Sequence, residues 1–197
     1  MDDRWTLGRR TGLPPDLLFL AAKHPRPTWA EGSALSATAQ VWLARHDQFR
    51  AQTARITAGL TRLREDGLTT PDSAPALRRH IGSLLVGLDG HHQIEDHHYF
   101  PVFQRAEPRL LRGFQILDAD HHMIHDAIDD LAAVTQDSLR RLGNAHGMMT
   151  SDQRFAVDGL ADTVNRIAPL LRQHLADEEE IVIPLILDRA RSDPDFG

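Results

Sequence analysis

The chain has no cysteine, one tyrosine and only 6% aromatic residues in 197 positions. Without cysteine there is no disulfide, no thiolate metal ligand, no thiol nucleophile and no redox dithiol. Long apolar runs are also missing. The longest near the start, Leu17 to Ala22, is too short for a membrane span or for the apolar part of a secretion signal. Basic charge is not in excess: the net charge is −6 with histidine neutral, so nothing draws the whole surface to nucleic acid or anionic lipid. With 41% hydrophobic and 25% charged residues, general disorder is excluded. A chain of this length folds as one domain by default and hides roughly 70% of its unfolded surface. The expectation is a soluble, cytoplasmic globular protein with no nucleic-acid or membrane partner.

What the chain has in plenty is histidine, twelve in all. Residues 1–33 hold Pro14-Pro15, His24-Pro25-Arg26-Pro27 and Gly32, and read as an N-terminal arm with a short helix at Asp16–Ala22. From there the period changes. Leu35, Ala39, Trp42, His46, Phe49, Thr53, Ile56, Leu60 and Leu63 alternate by four and three, one helical face that stops near Asp66-Gly67. Ser73 reads as the cap of a second helix with Ile81, Leu84, Leu88, His91, Glu95, His98 and Val102 on its seam, loosened at Pro101. Pro108 opens a third, with Leu111, Phe114, Leu117, His121, Ile124, His125, Ile128 and Leu131. Thr150 or Ser151 caps a fourth that runs to about Arg191, interrupted by Pro169 and Pro184, with Ile167, Leu171, His174, Glu178, Ile181 and Leu185 inward. No strand-period run of useful length is present. The expected fold is all-α, an up-down-up-down four-helix bundle over 34–192, with an N-terminal extension at 1–33 and a tail at 193–197.

The second and fourth helices repeat each other. His91-x3-Glu95-Asp96-x4-Pro101 returns 83 residues on as His174-x3-Glu178-Glu179-x4-Pro184. Both copies put a histidine and a carboxylate on the apolar seam, where an ionised group is costly unless paired, neutralised or bound to metal. Residues four apart share a helix face. His121 and His125 share one on the third helix, and His46 sits mid-seam on the first. Neighbours point about 100° apart, so of each doublet one member takes the seam centre. His91 and His121 are chosen because each has a partner four residues on. His92, His97 and His122 are left to solvent or to supporting roles, and His24, His80 and His146 to the surface. The expected metal set is therefore His46, His91, Glu95, His121, His125, His174 and Glu178. Imidazole with carboxylate suits iron, manganese or zinc. Seven ligands exceed one six-coordinate ion but suit two if both carboxylates bridge. The bland alternative is scattered histidines with Glu95 and Glu178 solvated, against which the repeat argues.

This order of motifs resembles the hemerythrin-like (HHE cation-binding) domain over roughly 35–190. It runs His on helix one, His-x3-Glu on helix two, His-x3-His on helix three, and His-x3-Glu-Glu before Ile-Val-Ile-Pro on helix four. The resemblance implies two iron ions, a non-haem di-iron centre with a solvent-derived bridging oxygen. His121, His125 and His174 would hold one iron and His46 and His91 the other, with Glu95 and Glu178 bridging. One departure is the helix-four carboxylate. Original hemerythrins place it five residues after the histidine, at Glu179 here, whereas the seam prefers Glu178. On that assignment the two-histidine iron keeps one open position. O2, NO or peroxide would bind there for carriage, sensing or detoxification, unless His98 fills it. Trp42 and Tyr99 are candidates to line that position. The redox partner is not legible, and a binding protein is favoured over an enzyme, with peroxide or NO chemistry as the variant. The alternatives are ferritin-like iron oxidation and storage, which Glu95-x2-His98 fits once, and a metal-free helical interaction module.

Overall fold

The computed structural model describes residues 3–29, 36–143 and 146–189. The expected start of the first long helix at Ser33–Leu35, its fourth counterpart's end near Arg191 and the tail at 193–197 lie outside them. Among the described residues the protein is all-α apart from a two-residue ladder. A short helix α1 (Phe19–Lys23) precedes α2 (Ala37–Asp66), strand β1 (Leu68–Thr69) and α3 (Ser73–Ile94). A wide turn at Glu95–Tyr99 leads into α4 (Phe100–Ala106). Then come α5 (Leu111–Leu142), strand β2 (Gly147–Met148) and α6 (Ser151–Arg189). The strands pair antiparallel, Leu68 with Met148 and Thr69 with Gly147.

The helix ends have local causes. Helices α2 and α5 each stop at a glycine in the left-handed region, Gly67 (φ 63°) and Gly143 (φ 53°). Each glycine N–H closes on a carbonyl four residues back, Leu63 at 3.1 Å and Leu139 at 3.0 Å. Helix α6 starts with a reciprocal cap. Gln153 N–H donates to Thr150 Oγ1 at 3.2 Å, and Thr150 N–H donates to Gln153 Oε1 at 3.0 Å. Ser73 is not the forward cap expected of it: its hydroxyl turns back to accept from Thr70 N–H at 2.9 Å. Pro169 and Pro184 do not interrupt α6, which runs unbroken to Arg189.

Pro101 acts one turn earlier than expected. Over Glu95–Tyr99 the helix widens, and Phe100 N–H reaches back five residues to the Glu95 carbonyl. A proline ring crowds the carbonyl four residues before it and offers no N–H, so a wider turn ahead of it relieves the clash. The extra residue moves the inward face. Beyond Glu95 the buried positions are Phe100 and Phe103, while Val102 is only half-buried and His98 is exposed.

By packing, the chain divides into two compact units. One takes the chain up to Gln48, His92–Met123 and the chain from Leu170 on. The other takes Phe49–His91 and Ile124–Pro169. In the first unit the N-terminal segment is part of the core: Leu13, Leu17, Leu20 and Trp29 pack with Trp42, Phe100, Phe103, Phe114, Leu117 and Ile181–Ile183. In the second, Phe49, Ile56, Leu60, Ile81, Leu84, Leu88, Ile124 and Leu160 are buried. No described helix is long and apolar enough to cross a membrane.

Candidate metal centre

The first unit buries an unusual load of ionisable side chains. His46, His92, His174, Glu178 and Glu179 are fully buried, and Glu95 and His121 nearly so. Two groups among them place one donor atom per residue within 4.8 Å of one another. The first is His92, His121 and His174. The second is His46, Glu95 and Glu178, with His91, one turn before Glu95 on α3, as its fourth member.

The groups share their carboxylates. Glu178 Oε1 lies 3.4 Å from His46 Nε2, and its other oxygen lies 3.2 Å from His174 Nε2. Glu95 Oε2 lies 3.6 Å from His121 Nε2. Trp42 donates its indole N–H to Glu178 Oε1 at 2.6 Å, and Tyr99 packs edge-on against Trp42 with ring centroids 5.0 Å apart. His92 stacks on His121 at 4.0 Å.

Each of three histidines is held from behind by a carboxylate on Nδ1: His46 by Glu179 at 3.0 Å, His121 by Asp96 at 2.7 Å and His174 by Asp120 at 3.3 Å. An ionised carboxylate only accepts, so Nδ1 carries the proton and Nε2 is the atom turned to the interior. There His121 Nε2 is buried with no hydrogen-bond partner, and His174 Nε2 and Glu178 Oε2 are buried 3.2 Å apart with no other one. Buried polar atoms left so are costly. Three converging donors of this kind fit a cation.

Electrostatics agree. Burial, then the facing Glu178 carboxylate, push Glu95 well above the usual carboxylate range. Glu178 goes the other way: burial would raise it, but His46 and His174 outweigh that and hold it well below. Burial alone would depress His174, yet Asp120 and Glu178 raise it to about 9. His46 is raised in the same manner by Glu178 and Glu179 against its burial, whereas burial keeps His121 low despite Asp96. Without a cation, then, His174 holds a proton at neutral pH that a metal must displace. Metal affinity is therefore expected to rise with pH from neutrality towards about 9. Titration calorimetry in buffers of different ionisation enthalpy should show proton release at pH 7; release of none would contradict these shifts.

Two sequence expectations are corrected. His125 is in neither group among the described residues: it is half-exposed on α5, with Nδ1 3.6 Å from Asp89 Oδ1. His125 lies about 6 Å further along the axis than His121, beside Asp89 rather than the other donors. His92 stands with His121 and His174 instead. With two groups side by side, adjacent residues about 100° apart can serve one each. A signal for His92 was present: it lies four residues beyond buried Leu88. The second correction is His98, exposed beside Tyr99 because the wide turn carries it off the seam. Glu179 is buried but belongs to neither group, and His97 and His122 are exposed, each bonded to a carbonyl of its own helix.

A buried, carboxylate-linked histidine cluster in an all-α protein is compatible with metal binding. The model of the hemerythrin HHE cation-binding domain matches residues 37–186, and the chain belongs to that family. No curated protein and no solved structure matches it.

Proposed function

We propose that this domain is a non-haem di-iron protein of up-down-up-down four-helix form that binds O2, or another small ligand such as NO or peroxide. The observation that carries the reading is Glu178, whose two oxygens face His46 on one side and His174 on the other. One ion would be held by His92, His121 and His174, the other by His46 and His91, with Glu95 and Glu178 shared. When bound, the iron pair supplies redox chemistry and, on the side with fewer histidines, an open position for the small ligand. The chain's own residues prepare that position. Trp42 fixes the Glu178 carboxylate through its indole N–H. Glu179, Asp96 and Asp120 hold His46, His121 and His174 with Nε2 inward. An exposed His98 would not fill that position, and the Glu95-x2-His98 match of the ferritin-like alternative does not turn both its residues inward.

The test is metal content followed by ligand binding. Protein made in iron-replete cells is expected to carry two irons per chain, and the oxidised protein to gain a visible charge-transfer band with azide. One iron per chain would end the di-iron reading. No metal at all would favour an interaction module, and two irons silent to azide would end the open-position reading.

A further inference from the structure

Two arginines lie ahead of residues 37–186, the part of the chain that the family model covers. Arg10 has a side chain only 1% exposed. It forks onto Asp120, with Nη1 donating to Oδ1 at 2.8 Å and Nη2 donating to Oδ2. Its Nε donates to Asp177 at 2.8 Å, and its Nη1 also reaches the Trp5 carbonyl at 2.9 Å. Asp120 Oδ2 is the oxygen that meets His174 Nδ1. Arg26 repeats the arrangement. Its Nη1 donates to Glu179 Oε2 at 2.7 Å and its Nε to Glu180 at 2.9 Å, with the guanidinium over the Trp29 ring. The other Glu179 oxygen meets His46 Nδ1.

Two relays of the same form result, arginine to carboxylate to histidine. They end in different groups, since His174 belongs to the three-histidine group and His46 to the other. We propose that the N-terminal segment is a clasp on the metal pair, with Arg10 and Arg26 as positioning residues, one for each half of the centre. The proposal rests on the metal-site reading. A planar guanidinium fixes the plane of the carboxylate it forks, and that carboxylate fixes the plane of the imidazole behind it. The segment's leucines and Trp29 bring it to the core, and the arginines pass its position on to the ligands.

The experiment uses the full chain, loaded anaerobically with ferrous iron. Iron release to an excess of a chromogenic chelator is followed in time, and the metal-free proteins are melted in parallel. Arg26→Ala removes a side chain that is 45% exposed and leaves the Arg10 relay intact. Arg10→Lys keeps the buried charge but loses the fork. Lys23→Ala is the control: it removes one contact of the same segment with α6, at Asp188, with no metal-group histidine at the end of the contact. Outer-shell partners are worth about 10–100-fold in metal affinity. Arg26→Ala is therefore expected to speed release of one of the two irons by about that factor, Arg10→Lys the other, and the double variant both. Lys23→Ala should release both as the wild type does.

Arg26→Ala decides alone if Arg10→Lys does not fold. Wild-type release from Arg26→Ala, with its metal-free melting lowered like that of Lys23→Ala, overturns the clasp and leaves a merely structural contact. A wild-type protein that takes up no iron removes the site reading and the clasp with it.

Discussion

Glu178→Ala is expected to strip the protein of nearly all its metal, a loss of at least about 100-fold in affinity, whereas Glu179→Ala costs roughly 10–100-fold. The two carboxylates are adjacent and equally buried. Their difference is geometric. Glu178 faces both groups, with His46 Nε2 at 3.4 Å and His174 Nε2 at 3.2 Å. Glu179 stands behind one ligand, at His46 Nδ1, and is held there by Arg26. Removing Glu178 takes a shared donor from both groups. Removing Glu179 leaves His46 able to turn, or to take the other tautomer, and touches one group only. Metal per chain, measured by mass spectrometry of variants purified side by side, checks this. Equal content in the two would mean that the carboxylates share the role.

The second large effect separates two histidines that sequence spacing ranks the other way round. His92→Ala is expected to empty the three-histidine group and cost about half of the bound metal or more. His125→Ala should keep metal content at the wild-type level. His92 is fully buried, stacked on His121 at 4.0 Å and edge-on to His174 at 5.4 Å. His125 is half-exposed beside Asp89. A His125→Ala protein that loses metal while His92→Ala keeps it would restore the i, i+4 reading of α5.

That reversal shows where sequence reasoning reaches. The stop of α2 at Asp66-Gly67 and the inward placing of His46, Glu95, His121, His174 and Glu178 were legible. Each follows from a constant 3.6-residue period within an unbroken helix. Two things were not legible. One was depth along the axis, since a shared face says nothing of which turn meets which, and His125 was misplaced for that reason. The other was phase after the wide turn, where the period changes for one turn and carries His98 outward. The supporting carboxylates Asp96, Asp120 and Glu179 were also out of reach. Partners of that kind are set by which helices lie side by side, and Arg10 and Arg26 come from a segment that read as an arm.

The wide turn at Glu95–Tyr99 also separates two design problems that most helices must solve at once. Upstream of it the rotation of the helix is dictated by donor atoms: His92 and Glu95 must face the groups they join. Downstream it is dictated by shape: Phe100 and Phe103 fill the core beside Phe114, with ring centroids 5.1 Å and 6.0 Å away. A rigid α-helix would bind these two rotations into one, so that any repacking of the aromatic end would turn the ligands with it. One surplus residue breaks that lock. The two stretches behave as separately indexed gears on one shaft. The aromatic face is thereby set out of phase with the face that carries the donor atoms.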